Sequence, residues 1–285
     1  MTTVRDVTVR LTAWLERLMP AGDRRDSLTG VLARFAADDR PVTAELCAEV
    51  ERLAWRVSRH VALIFEPDGT APADTDAGQW PPQDPATVRA RAASVSQSRR
   101  FADGTALIRI DGLDEVGLAR PYVDAAFTHA RDARRIVLDL RANGGGDPAT
   151  VALIAGWLLG DEAVQLSEVV DREWRRQWWT PDRARGSALR ADACVLISRS
   201  TFSSGEALAY HLQARERAYV VGEVTPGAAD HVLPIRLAPT VLAHVPRAYV
   251  VDSVTGGNWE GTGVIPDLKV PAEQALEAAL TAMDE

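Results

Sequence analysis

The feature that most constrains this 285-residue chain is an alternation of short apolar runs with helical patterns between residues 106 and 223. "ALIRIDGL" (106–113), "RIVLDLR" (135–141), "CVLISRS" (194–200) and "AYVVGE" (218–223) have strand length and strand composition. Between them lie "RPYVDAAFTHARD" (120–132), "DPATVALIAGWLLG" (147–160) and "SGEALAYHLQAR" (204–215), whose apolar residues recur at helical spacing. Apolar strands separated by crossover helices imply a buried, largely parallel sheet, so the expected fold class is α/β. The tail adds "HVLPIRLAP", "VLAHVPRAYVV" and the helix "PAEQALEAALTAM", giving an α/β core over residues 98–285.

Upstream of the core the period changes. Leu11, Trp14, Leu15 and Leu18 form one helical stripe, Val31, Leu32 and Phe35 a second, and Leu46, Val50, Leu53 and Val57 a third. Pro20 to Gly22 and Arg40-Pro41 punctuate them. Residues 1–66 are therefore expected to form a small helical module. Residues 67–97, rich in Pro, Gly, Ala and Asp, lack the apolar content to pack alone and read as a linker or surface loop.

Bulk charge excludes some partners. A net charge of −8 and a pI near 5.3 argue against a nucleic-acid groove or an anionic membrane surface. The N-terminal segment is interrupted by charge every few residues, unlike a signal peptide, and no apolar run reaches the ~18 residues of a membrane span; a cytoplasmic location is expected. Cys47 and Cys194 have no Cys or His at ligand spacing and read as free buried thiols. The histidines, His60, His129, His211, His231 and His244, show no metal-binding spacing, so neither a metal nor another cofactor is expected.

In α/β sheets reactive groups collect where strands end and helices begin. One such junction is "STFSSGEALAYHL" (200–212), in which Ser203 and Glu206 form the S-x-x-E pattern of a helix capping box. Another is "VLDLRANGGGD", where Gly144, Gly145 and Gly146 let the backbone approach a ligand with N–H groups exposed. It lacks the G-K-[ST] of a P-loop and the G-x-G-x-x-G of a dinucleotide site. Each junction alone fits ordinary capping or a tight turn. Glu260, in "GGNWEGTGVIPD", fits a solvated loop glutamate or a carboxylate held beside Trp259.

In combination, "VLDLRANGGGDPATVALIAGWLL", "LISRSTFSSGEALAYHLQARERAYVVGEVTPG" and "VDSVTGGNWEGTGVIPDLKVPAEQAL" resemble the S41 serine peptidase superfamily, in order and spacing over roughly residues 104–280. That superfamily holds the tail-specific and tricorn-core proteases and the interphotoreceptor retinoid-binding protein; the branch of the last resembles this chain best. The resemblance implies a clp/crotonase-like β-β-α core, without the PDZ domain of many tail-specific enzymes. It places the nucleophile on Ser203 and an oxyanion hole on the N–H of Ser204 and of Gly145 or Gly146. The tail-specific branch uses a lysine where this chain has Ala228, and Lys269, in "PDLKV", is the only lysine. A Ser-Lys dyad is thereby excluded. The tricorn-like and retinoid-binding-like branches imply a histidine base at His60, in "VSRHVALIF", and a glutamate at Glu260. In the tricorn type a serine directly precedes that histidine, whereas here Arg59 separates His60 from Ser58. His231, close to the position of the missing lysine, is a rival base.

The stretch "REWRRQWWTPDRARG" (172–186) is the candidate specificity loop, with Trp174, Trp178 and Trp179 lining a substrate pocket or covering a sheet edge. The expected function is cleavage of an amide or ester bond in a short peptide or small acyl substrate through a serine acyl-enzyme. The alternatives are acyl transfer or cyclisation at the same site, and a non-catalytic protein that binds a hydrophobic ligand.

Overall fold

The computed structural model describes residues 2–76 and 78–283. In chain order the helices are α1 (Val4–Leu18), α2 (Asp23–Leu32), α3 (Ala44–Ala54), α4 (Pro85–Ala90), α5 (Val116–His129), α6 (Pro148–Leu159), α7 (Ser204–Ala214) and α8 (Ala275–Ala282). The strands are β1 (Ala62–Phe65), β2 (Val95–Arg100), β3 (Thr105–Ile110), β4 (Arg135–Asp139), β5 (Gln165–Val170) and β6 (Arg175–Trp179), then β7 (Asp192–Ile197), β8 (Ala218–Gly222), β9 (His231–Ala238), β10 (Val241–Asp252) and β11 (Leu268–Lys269). They fall into two compact units. The first comprises residues 1–82, 169–176 and 228–250, and the second residues 83–168, 177–227 and 251–285.

The first unit begins with the three helices α1, α2 and α3. Thr3 caps α1 in a reciprocal box with Asp6, and Thr43 caps α3 by accepting from Leu46 N, satisfying N–H groups that a helix start leaves unpaired. The apolar stripes do not close on one another alone. Leu11, Leu15, Leu28, Leu32 and Val50 share one core with Leu63 of β1, Ile235 and Leu237 of β9, and Val241, Ala243 and Val245 of β10. β10 pairs antiparallel with β1 on one side and β9 on the other. The helical module is thus a helix-and-hairpin unit whose hairpin arrives from far along the chain.

The second unit holds a six-stranded sheet in the order β11-β8-β7-β4-β3-β2. All its neighbours are parallel except β2, which runs antiparallel to β3 at one edge. The apolar runs at β3, β4 and β7 are buried because helices cover them, the condition that lets a parallel strand be apolar on both faces. Ala275 and Ala279 of α8, for instance, pack on Leu107, Val137, Cys194 and Val221. α6 starts at Pro148 behind its cap Asp147, whose carboxylate accepts from Ala149 N at 2.9 Å. This parallel sheet sets the carboxyl ends of β4 and β7 side by side, which brings the glycine triplet and the serine stretch together.

Candidate active site

β7 ends at Ile197 and α7 starts at Ser204, so residues 198–203 must reverse the chain within a few residues. The turn is built from hydroxyls: Thr201 Oγ1 accepts from Ser198 N at 2.9 Å and donates to Leu140 O at 2.8 Å, and Ser198 Oγ donates to Arg141 O at 2.6 Å. It closes on Ser203 at φ +51° and ψ −120°, a backbone state that a residue with a Cβ rarely occupies. Such a conformation costs about 1–3 kcal/mol and persists only where the surroundings over-determine it.

Glu206 supplies much of that restraint. Fully buried, it accepts from Ser203 N on Oε2 at 2.8 Å, and from Thr225 Oγ1 at 2.5 Å and Gly227 N at 2.7 Å on Oε1. The sequence pattern suggests only a helix cap; its carboxylate in fact ties the serine turn to the segment after β8. That segment bonds onward, Gly261 N donating to Gly227 O at 2.8 Å, so the loop holding Glu260 hangs on the same node. Glu260 is half-buried, and its own N–H donates to Asn258 Oδ1 at 2.8 Å. Trp259 beside it is buried edge-on against His211, and His211 Nδ1 meets the buried Asp252 at 2.7 Å. The His211–Asp252 pair has no counterpart among the sequence expectations.

The glycine triplet divides into separate roles. Phe202 N donates to Asn143 O at 2.9 Å, which sets the serine turn against the loop. Gly145, at φ +95°, lies so close that a Cβ there would stand 2.8 Å from Ser203 Cβ and 2.9 Å from Phe202 O. Its N–H is already engaged, donating to Asn143 Oδ1 at 2.9 Å. Gly146 is held differently. The neighbouring Gly145 O and Asp147 N make the links to Leu113, while Gly146 O accepts from Ser204 Oγ at 2.8 Å. Ser204 N occupies the first helical position, where no intrahelical acceptor exists and the positive end of the helix dipole lies. Asn143, buried and bonded through Nδ2 to Ile110 O at 2.9 Å, is a positioning residue that no local motif marks.

A family model decides what this constellation belongs to. Peptidase family S41 matches residues 104–270, more than half of the chain. The chain belongs to peptidase family S41. The S41 match spans both junctions and the Glu260 loop, and it makes the protein a serine peptidase by family. Solved structures share the fold. A lipoprotein from Streptococcus agalactiae is 13% identical with a TM-score of 0.60, covering 100% of this chain and 97% of its own. A candidate peptidase from Parabacteroides merdae is 16% identical with a TM-score of 0.68, covering 99% of this chain and 97% of its own. A candidate S41 protease from Bacteroides fragilis is 17% identical with a TM-score of 0.54, covering 67% of this chain and 58% of its own.

The remaining expected S41 site residues lie as follows. His60 is in the first unit, buried in the turn between α3 and β1. Burial pushes its imidazole down to about 3, with His231, His244 and Arg24 adding to the effect. His231, the rival base, opens β9 in the same unit and is pushed down to about 4 by burial and then by Arg247 and Arg176. Both rings are neutral at neutral pH, the form that can accept a proton. In that unit the buried Ser58 Oγ donates to Asp230 Oδ2 at 3.2 Å, and Arg24 pairs with the same buried carboxylate. Ala228, where a lysine base would stand, is fully buried, and Lys269 sits in β11 opposite Gly222. The tryptophan stretch is partly a strand rather than a loop. Trp174 closes the turn before β6 with Arg247 over its ring at 5.2 Å, while Trp178 and Trp179 lie on β6 itself, an edge strand. Among the described residues no helix is long and apolar enough to cross a membrane, and no group of three or more His, Cys, Asp or Glu could hold a metal ion.

Proposed function

We propose that this S41 chain cleaves an amide or ester bond of a short peptide or small acyl substrate through an acyl-enzyme on Ser203. The observation that carries the reading is the strained Ser203 backbone, clamped by Glu206 at the start of α7 and packed against Gly145. A serine used only as a cap needs no such conformation; one that must present its oxygen at a sharp strand-to-helix turn does.

In the proposed reaction Ser203 Oγ attacks the substrate carbonyl carbon and passes its proton to a neutral histidine. The C–O bond forms as the carbonyl π pair moves onto oxygen. That oxyanion is stabilised by the N–H groups of Ser204 and Gly146, the positive end of α7 adding to the field. Gly145 N, bonded to Asn143, is the less suitable donor of the two glycines. The protonated histidine then gives its proton to the leaving amine or alkoxide, and water, deprotonated by the same ring, releases the acyl group. His60 is the base favoured by motif position, with Glu260 stabilising the imidazolium; the buried alanine at 228 supports a histidine-type branch, the retinoid-binding-protein-like one included. Trp174, Trp178 and Trp179 are assigned to substrate contact.

A fluorophosphonate probe tests the assignment. It should label the wild-type protein covalently and leave Ser203→Ala unlabelled, while His60→Ala should slow labelling by about a hundredfold or more. Undiminished labelling of Ser203→Ala, or an inert wild-type protein, would overturn the reading.

A further inference from the structure

The most unusual backbone in the second unit lies outside the reacting groups. Ala92, Ala93 and Ser94 follow one another at φ +49°, +49° and +61°, a turn of left-handed helix made of residues that carry a Cβ. L-residues other than glycine visit this region singly, because the Cβ crowds the following carbonyl oxygen. A run of three needs strong restraint from its surroundings.

The restraint is a buried carboxylate. Asp114 is 2% exposed; it accepts from Ser94 Oγ at 2.9 Å and from Arg91 Nε at 3.1 Å, and its other oxygen pairs with a second Arg91 nitrogen. Arg91 precedes the left-handed turn and Ser94 is its last residue, so one carboxylate holds both of its ends. Ser94 O also accepts from Asp111 N at 2.9 Å, and a Cβ on Gly112 would stand 3.3 Å from Ser94 Oγ. The turn therefore grips residues 111–114 along their length.

Those residues in turn fix the glycine loop. Leu113 N donates to Gly145 O and Asp147 N to Leu113 O, both at 2.8 Å. Val116 N donates to Asp147 Oδ2 at 2.8 Å, and Thr150 Oγ1 to Asp114 O at 2.7 Å. Contact is so close at Gly146 that a Cβ there would meet Leu113 O at 1.9 Å. Where Gly146 stands is thus dictated by Leu113, and where Leu113 stands by the segment the turn grips.

We propose that the left-handed turn Ala92–Ser94, clasped by Arg91, Asp114 and Ser94, is a positioning device for the oxyanion-stabilising loop. It sets the place of the Gly146 N–H relative to Ser203. The inference rests on the assignment of Ser203 and Gly146 made above. Asp114, Arg91 and Ser94 touch no reacting atom and act through Leu113. A strained turn suits this role because it has one direction of release. When the clasp is cut, residues 92–94 relax toward ordinary backbone and draw residues 111–113 with them.

The experiment is fluorophosphonate inactivation, with kinact resolved from KI, on the full chain. Ser94→Ala and Asp114→Asn are expected to lower kinact by about tenfold or more, since sub-ångström displacement of a transition-state donor has effects of that order. KI should stay within about twofold and the pH dependence of kinact should not move, because neither binding nor the base is altered. Arg91→Lys should recover part of what Arg91→Ala loses. Leu276→Ala, on α8 and packed against the core that this helix covers, should lower stability and keep wild-type kinact. Should Asp114→Asn fail to fold, Ser94→Ala, which retains the Arg91–Asp114 pair, decides the matter. A folded Ser94→Ala with kinact within twofold of wild type overturns the inference, as does an equal loss in Leu276→Ala. A wild-type protein that does not react, or Ser203→Ala that does, overturns the Ser203 assignment and this inference together. Reactive wild type with equally reactive Ser94→Ala overturns the clasp alone.

Discussion

Replacing Gly145 by alanine sets a methyl carbon 2.8 Å from Ser203 Cβ, 2.9 Å from Phe202 O and 3.2 Å from Ser204 N, on a backbone at φ +95°. Two effects add. Holding alanine at positive φ costs about 1–2 kcal/mol, and forcing one extra carbon into a packed contact costs about 1–3 kcal/mol. The sum, about 2–5 kcal/mol, is a large share of a typical domain's stability without exceeding it. Carbon atoms prefer separations of ~3.5 Å or more, so Ser203 and the loop must part by ~0.7 Å. Displacement by ~1 Å at a reacting centre costs about a hundredfold in rate, which places Gly145→Ala at tens-fold. Gly144 is the control: a Cβ there meets nothing within 4 Å, and its φ lies outside the left-handed range. Urea unfolding and fluorophosphonate kinact should therefore leave Gly144→Ala near wild type and depress both measures in Gly145→Ala. Equal behaviour of the two variants would refute the claim that the triplet is a contact surface for Ser203 rather than a flexible turn.

Glu206→Gln removes the charge and one acceptor from a buried carboxylate that receives three hydrogen bonds. Urea unfolding should register a loss of about 2–4 kcal/mol, and a loss below about 0.5 kcal/mol would show that the clamp is dispensable. The buried histidines give a signed pH effect. His60, pushed down to about 3, stays neutral in the folded protein while the unfolded ring protonates near 6.5, so the unfolded state binds more protons between these values. Stability must then fall as pH drops from about 6.5 toward 3, on the order of 1 kcal/mol per pH unit. His60→Gln should flatten that slope in acid unfolding. For the same reason, the acid limb of the labelling rate should lie well below pH 6, and a limb near 6.5 would exclude His60 as the base.

The parallel sheet was legible because its strands are apolar throughout, a pattern that only burial on both faces explains. Ser203 stood out by its spacing to Glu206, but the spacing speaks only for the first bond of that carboxylate. The other two come from Thr225 and Gly227, positions set by tertiary structure. The helical stripes of the first unit were equally plain, yet their partners are β9 and β10, and nothing local in Leu11 or Val50 tells which later segment covers them. The left-handed turn was the least legible feature. Ala92, Ala93 and Ser94 have no intrinsic preference for positive φ, and the bonds that enforce it reach to Asp111 and Asp114. Trp178 and Trp179 carry no alternation that marks a strand, since an exposed edge strand has no apolar face to display.

The backbone at residue 203 bears on how this protein could change over generations. Glycine accepts φ +51° with little strain, so a single replacement there would relieve a burden of about 1–3 kcal/mol. Proteins rest just above a stability threshold and not at an optimum, so stabilising exchanges of this kind remain open wherever function does not oppose them. A descendant freed from the need for the hydroxyl would have an easy downhill route to glycine at this position.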